Sequence, residues 1–146
     1  MGHIEATKDL AASPDAVWAT VVDPRTWDKW FTVHEKWMEE PGEQLTQGTR
    51  VAAKIVMLGM ANKIEWTVET VDAPNTLALS GTGMAGAKAR FVFTVTPQGA
   101  GSTFTVEGDF EGAMIKGALG KAVEKDGRKQ LDESLAKLDA LASAHA

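Results

Sequence analysis

The sequence predicts an α+β domain in which a curved antiparallel sheet wraps around one long C-terminal helix. Two observations carry this prediction. Between residues 33 and 111 apolar side chains recur at every second position, and turn residues separate the segments at regular intervals, which is typical of an antiparallel meander. After residue 114 the apolar period becomes helical and continues to about residue 142.

Length and composition narrow the class of protein. The chain has 146 residues, which suits a single domain over 1–146. Cysteine is absent and no apolar run reaches the length of a membrane span or signal peptide, so we expect a cytoplasmic protein without disulfides. Fifteen basic residues stand against twenty acidic ones, and the net charge of −5 argues against a nucleic-acid partner.

The N-terminal elements follow from local signals. Residues 3–11 alternate weakly and suit an edge strand. Ser13 is a typical N-cap residue, and Pro14 follows it at the first helical position, so a short helix should run to about Val22. A second short helix over 25–31 would place Trp27, Trp30 and Phe31 on one aromatic face.

The middle of the chain predicts the remaining strands of a sheet of about seven. Ile64, Trp66 and Val68 alternate with charged neighbours, so each strand should have one dry and one wet face. The predicted strands are 33–39, 49–58, 62–72, 75–81, 87–96 and 102–111, joined by turns at 59–62, 73–75, 81–86 and 97–101.

The C-terminal helix has an interrupted apolar stripe. Its apolar residues are Ile115, Leu119, Val123, Leu131, Leu135 and Leu138. Between Val123 and Leu131 the inward positions are Asp126, Gly127 and Gln130. Either the helix lifts off the sheet there and leaves a cavity with a polar spot, or it bends and Gly127 permits close approach.

Methionines cluster in three connections. In a meander alternate turns lie at one end of the sheet, and the connections that hold Met60, Met84 and Met114 share such an end, with Met57 close by. Methionine is flexible and polarizable and suits an adaptable rim around an apolar ligand. The sequence therefore predicts a pocket that opens at this end.

The order of strand, two short helices, meander and long helix resembles the helix-grip fold of the START-like, or SRPBCC, superfamily, to which Bet v 1 and the polyketide cyclase/dehydrase proteins belong. Three segments resemble its actinobacterial, toxin-like branch: WFTVHEKW at 30–37, GMANKIEWT at 59–67 and LSGTGMAGAK at 79–88. The resemblance implies a cavity for lipids, sterols or polyketides, gated by the loops at 59–62 and 81–86. For the toxin-like branch it implies growth inhibition beside an antitoxin.

Candidates for chemistry are few. His3 stands at the start of the chain and His145 in its tail, which leaves His34 as the catalytic candidate. It is a weak one, because adjacent strand residues such as His34 and Glu35 face opposite sides unless a bulge intervenes. No second histidine or cysteine stands at ligand spacing, so we expect no metal. The G-x-G-x-x-G pattern at 81–86 precedes a strand rather than a helix, so we read it as a hairpin loop and expect no cofactor.

Binding of a small hydrophobic molecule is the leading hypothesis. A polyketide cyclase or aromatase and the toxin of a toxin-antitoxin pair, with an antitoxin or another protein as partner, are the alternatives. A basic strip at Lys121, Lys125, Arg128 and Lys129 is interleaved with acidic residues and favours a solvated face. The predicted ligand-binding residues are Trp37, Ile55, Met57, Met60, Trp66, Met84, Phe91, Phe93, Phe104, Met114, Leu119, Asp126 and Gln130.

Overall fold

Seven strands form one antiparallel sheet in the computed structural model, in the order β1-β7-β6-β5-β4-β3-β2. The structure describes residues 2–39, 42, 44–57, 60–73, 75–83, 87–112 and 117–144. The strands are β1 (Gly2–Leu10), β2 (His34–Trp37), β3 (Arg50–Met57), β4 (Met60–Asp72), β5 (Thr76–Gly83), β6 (Lys88–Gln98) and β7 (Gly101–Glu111). The predicted meander is confirmed, and the first strand is an edge strand, as the sequence predicts.

Three short helical segments and one long helix complete the fold. They are α1 (Pro14–Val22), a 3-10 turn (Pro24–Thr26), α2 (Trp27–Trp30) and α3 (Gly117–Ala144). The predicted cap of α1 is present, because the Ser13 hydroxyl accepts a hydrogen bond from the Ala16 backbone N–H at 3.2 Å. The predicted start of the long helix near Met114 lies outside the described residues.

Two strand boundaries differ from the prediction. β4 begins at Met60, so Met60–Asn62 belong to the strand rather than to a turn, and Asn62 faces Ile55 in regular antiparallel register. β5 continues to Gly83, and Gly81 pairs with Trp66. Glycine is a common turn signal, but here the missing side chain at Gly81 makes room for the Trp66 ring and the Ile64 side chain within the sheet.

An aromatic cluster fills the middle of the molecule between the sheet and the helices. The centroid of the Trp27 ring lies 5.4 Å from that of Phe31 and 5.6 Å from that of Phe93, both in edge-to-face geometry. Phe93 in turn stacks against Phe104, with ring centroids 6.1 Å apart. The short helices after β1 therefore close one part of the interior with large, interlocking side chains.

Helix α3 runs alongside β1. Glu124 accepts a hydrogen bond from the backbone N–H of His3 at 2.9 Å, and Asp139 accepts one from Ala11 at 3.1 Å. The N-terminal half of α3 therefore lies beside the start of β1, and its C-terminal half lies beside the end. No helix in the described ranges is long and apolar enough to span a membrane.

Candidate functional site

One end of the sheet carries the borders of all three methionine-bearing connections. β3 and β5 finish there at Met57 and Gly83, β4 and β6 start there at Met60 and Lys88, and β7 finishes there at Glu111. We call this the Met57 end. The described strand ends thus agree with the predicted grouping of the connections, while Met84 and Met114 lie outside the described residues and the side chains of Met57, Met60 and Leu119 are not described.

The inward-facing residues change in size along the interior. Near the Met57 end, buried Gly81 and Ala89 face each other across β5 and β6. Farther along β6 the inward residues are Phe91 and Phe93, which are fully buried. On β5 and β6 the small inward residues therefore lie toward the Met57 end, where they are flanked by the larger buried side chains of Trp66 on β4 and Phe110 on β7.

Helix α3 shows the same gradient. Its inward residues in the N-terminal half include Val123 and Gly127, whereas the C-terminal half presents Leu131, Leu135 and Leu138. Because α3 runs alongside β1, the half with the smaller inward residues is the half nearer the Met57 end. β5, β6 and α3 therefore each present smaller inward side chains toward that end, while Trp66 and Phe110 of the neighbouring strands are large there.

Trp66 lies directly opposite Gly81, in the adjacent strand β4. It is 1% exposed, and Cε3 of its indole ring would be 2.7 Å from a Cβ placed on Gly81. Its indole nitrogen, Nε1, is buried without a hydrogen-bond partner in the described part of the protein. Since Nε1 lies on the opposite long edge of the ring from Cε3, it is directed away from Gly81.

His34 is a second buried polar side chain without a partner. It is 4% exposed, and neither ring nitrogen has a hydrogen-bond partner among the residues described. Its neighbours are aromatic, with the Trp37 ring centroid 4.5 Å away and that of Trp27 5.8 Å away. Burial lowers the pKa of His34 to about 4, so the imidazole is neutral at neutral pH.

His34 and Glu35 do not form an acid/base pair. The β2–β3 register shifts between His34 and Lys36, which is the irregularity that convergence would require. Glu35 is nevertheless exposed, and its carboxylate lies 3.5 Å from the ammonium of Lys54. His34 thus has no carboxylate partner of this kind, and the prediction of a catalytic role gains no support from geometry.

The polar interruption of α3 connects the helix to the sheet. The Gln130 side-chain amide donates to the carbonyl oxygen of Val56 at 3.0 Å and to the Asp126 carboxylate at 2.8 Å. One turn farther on, Ser134 accepts from the backbone N–H of Thr32 at 2.9 Å and donates to the Gln130 carbonyl at 2.8 Å. The role predicted for Asp126 and Gln130 as ligand contacts therefore competes with a structural one.

The other predicted binding residues fall into two groups. Phe91, Phe93 and Phe104 lie in the aromatic cluster, and Trp37 is half-buried with its indole nitrogen donating to the Pro24 carbonyl at 2.7 Å. Ile55 is inward and faces His34 across β2 and β3. The sequence did not single out His34 as a buried polar contact, nor the Thr32–Ser134 pair, which joins residues 102 positions apart.

The solvent face of the sheet bears a separate groove of about 470 Å³. It contains none of the predicted ligand-binding residues. Charged side chains border the groove and small residues form its base. The Arg90 guanidinium also donates a hydrogen bond to the Glu69 carboxylate at 3.2 Å. The residues that line the groove are Glu65, Thr67, Ser80, Gly81, Thr82, Lys88, Ala89, Arg90, Asp109 and Glu111.

A cluster of ionisable groups surrounds His3 on this same solvent face. Ligand atoms of His3, Glu5 and Glu107 lie within 4.8 Å of one another. The imidazole of His3 forms hydrogen bonds with the Asp109 carboxylate at 2.7 Å and with the Glu5 carboxylate at 3.4 Å. These contacts, the Asp109 hydrogen bond foremost, raise the pKa of His3. The cluster is exposed and is accounted for by ordinary cross-strand pairing.

The sheet, the short helices and α3 together form a helix-grip fold. The family model described as "Polyketide cyclase / dehydrase and lipid transport" matches residues 1–143. The chain belongs to this family, in agreement with the resemblance seen in the sequence.

Relatives in Mycobacterium tuberculosis are similar over most of their length. An uncharacterized protein, Rv1546, is 29% identical over 135 residues, which cover 92% of this chain and 94% of the relative. A protein named Toxin Rv0910 is 28% identical with the same coverage. Among solved structures, a START superfamily protein from Mycobacterium smegmatis has a TM-score of 0.77 at 15% identity and is matched over 100% of both chains. That structural likeness supports the fold.

Proposed function

We propose that this protein binds a small hydrophobic molecule, such as a lipid or a polyketide, between the sheet and α3 near the Met57 end. The observation that carries the proposal is the matching gradient of inward side-chain size on β5, β6 and α3. On these three elements the inward side chains are large in the aromatic cluster and small toward the Met57 end, which favours a site at the second place, beside the buried rings of Trp66 and Phe110. Membership in a family described by lipid transport and polyketide chemistry supports the same function.

The surroundings suit an apolar ligand. In the described ranges the buried polar side chains are Thr20, His34, Ser102 and Ser134, and none is a carboxylate, an ammonium or a guanidinium. Burial of apolar ligand surface against such walls contributes about 25 cal/mol per Å². The predicted ligand contacts, including the methionine rim, remain proposals within this function.

A paired substitution tests the location. Ala89 is inward and 7% exposed, whereas Ala61 is exposed on β4 near the same end of the sheet. Ala89→Phe should fill the proposed site and weaken binding of N-phenyl-1-naphthylamine, a neutral apolar fluorophore, at least about tenfold. Ala61→Phe should leave the affinity within about twofold, because that side chain faces solvent.

The affinities are interpretable only for folded variants. Circular dichroism and thermal unfolding should therefore accompany each titration, and Ala89→Leu replaces the phenylalanine variant if the latter does not fold. Unchanged binding by a folded Ala89→Phe variant would show that the fluorophore does not use this site.

The similarity to a protein named as a toxin favours a second candidate function, growth inhibition relieved by an antitoxin. We propose it as a role that ligand binding could regulate, in the cytoplasm of an actinobacterial host. Induced expression that arrests growth, with rescue by a co-expressed neighbouring gene product, would support this role. Normal growth at high expression would count against it and would leave ligand binding untouched.

A further inference from the structure

Trp66 is a buried donor whose hydrogen bond is missing. An indole nitrogen can only donate, and a buried donor without an acceptor destabilises a protein by about 1–3 kcal/mol relative to a satisfied one. Three other tryptophans show how this fold satisfies the group: Trp27 donates to the Val21 carbonyl at 2.9 Å, Trp37 to the Pro24 carbonyl at 2.7 Å and Trp30 to the Thr26 hydroxyl at 3.2 Å. Trp66 is the exception among these buried rings.

Its two cross-strand neighbours have no side-chain acceptor. Trp66 faces Val51 on β3 and Gly81 on β5, and neither has a polar side chain. The ring edge that carries Cε3 packs against the Gly81 position, so the edge that carries Nε1 is directed elsewhere in the interior. This donor lies in the region of small inward residues where the ligand is proposed to bind.

We propose that the bound molecule presents an uncharged oxygen acceptor, such as a ketone, ester or ether oxygen, to the indole N–H of Trp66. This inference rests on the proposed function and narrows its ligand class from hydrophobic molecules in general to neutral, oxygenated ones. A plain hydrocarbon would leave the Trp66 donor unsatisfied, whereas an acceptor oxygen would satisfy it.

The charge of the interior disfavours a carboxylate at this position. None of the buried side chains among the described residues is a permanent cation, and the buried imidazole of His34 is neutral. An enclosed anion without a counter-charge is strongly disfavoured. His34 offers one donor and one acceptor as a neutral ring, and so it suits a hydroxyl or carbonyl group elsewhere on the same molecule.

Three naphthalene probes of similar shape separate these chemistries. They are 2-acetylnaphthalene, which has an acceptor oxygen, 2-isopropylnaphthalene, which has none, and 2-naphthoate, which is charged. Calorimetric titrations of the parent protein should rank 2-naphthoate weakest. Trp66→Phe keeps an aromatic ring but removes the donor. It should therefore lower the affinity for 2-acetylnaphthalene about fivefold to tenfold and leave the affinity for 2-isopropylnaphthalene within about twofold of that of the parent.

Trp30→Phe is the matched control. It removes an indole N–H that already has a protein acceptor, so it should leave the ratio of the two neutral probes unchanged within about twofold. An equal effect of Trp66→Phe on both neutral probes would overturn the inference while leaving the proposed function in place. Failure of the parent to bind either neutral probe would instead count against the proposed function.

A measurement on the unaltered protein covers the case in which Trp66→Phe fails to fold. In a ¹⁵N-correlated spectrum with assigned indole signals, 2-acetylnaphthalene should move the Trp66 Nε1–H resonance downfield, and 2-isopropylnaphthalene should not. Movement of equal size with both probes would mean that ring contacts alone cause it. An unchanged Trp66 resonance with bound 2-acetylnaphthalene would overturn the inference.

Discussion

The indole ring of Trp66 covers Gly81 so closely that a Cβ at residue 81 would lie 2.7 Å from Cε3. Glycine inside a strand ordinarily weakens it, because the side chain that would pack is missing. Here the missing side chain admits a large ring and the neighbouring Ile64 side chain. The orientation of Trp66, and with it the direction of its unpaired donor, thus depends on a glycine in the adjacent strand.

Gly81→Ala should destabilise the protein by about 1–3 kcal/mol, because the new methyl group would overlap both Trp66 and Ile64. Gly83→Ala is the matched control, since a Cβ there meets nothing closer than 3.5 Å. Urea unfolding followed by circular dichroism measures both. Equal stability of the two variants would contradict the packing described around Trp66.

Gln130→Ala should lower the free energy of unfolding by about 1–2 kcal/mol, because it removes the hydrogen bonds to the Val56 carbonyl and the Asp126 carboxylate. The neighbouring Lys129 is exposed, so Lys129→Ala should change stability by less than about 0.5 kcal/mol. Chemical denaturation of both variants checks the difference. A Gln130 variant as stable as the control would mean that the hydrogen bonds of Gln130 do not stabilise the fold. The side chain would then be available for contact with a ligand.

Ser134→Ala should destabilise by about 1–3 kcal/mol, since it leaves the Thr32 backbone N–H without its acceptor in a half-buried position. Ser143→Ala serves as the control because Ser143 is exposed on the same helix. Amide hydrogen exchange gives a local readout: Thr32 should exchange faster in the Ser134 variant and not in the Ser143 variant. Unchanged protection of Thr32 would contradict this contact.

Stability should fall as the pH decreases from about 6.5 toward 4. The pKa of His34 drops from its ordinary value of 6.5 to about 4 in the folded protein, so over this range the unfolded chain binds the proton more readily. The loss begins near the unfolded pKa and levels off below the folded one. His34→Leu should remove this component of the pH dependence, measured as the difference between unfolding curves at pH 7 and pH 4.5.

His3 is the control for that experiment because its pKa shifts in the opposite direction. The raised pKa of His3 gives stability at low pH that is lost as the pH rises through the folded value. His3→Gln should therefore steepen the acid loss of stability slightly or leave it unchanged. If His34→Leu retains the full acid dependence of the parent, another group is responsible.

Alternation of residue types was sufficient to predict the meander, because a sheet with one wet face enforces a two-residue period along each strand. It failed at the ends of β4 and β5, where Asn62 and Gly81 look like turn residues but are held in register by Ile55 and Trp66. Hydrogen-bond pairing with a neighbouring strand outweighed local preference there.

The candidate site was predictable only in outline. The interruption at Gln130 marked an unusual part of α3, but its partner, the Val56 carbonyl, lies 74 residues earlier in the chain. The missing acceptor of Trp66 is a property of the folded interior rather than of any local pattern. The burial of His34 likewise depends on the packing of Trp27 from α2 against its ring, besides Trp37 of its own strand.

Native mass spectrometry of the protein purified from its own host, followed by denaturation, extraction and identification of the released material, tests the central claim most directly. The account predicts one small apolar molecule per chain, neutral and bearing at least one acceptor oxygen. A protein that is consistently empty under native conditions, and that also fails to bind N-phenyl-1-naphthylamine and the neutral naphthalenes, would contradict it.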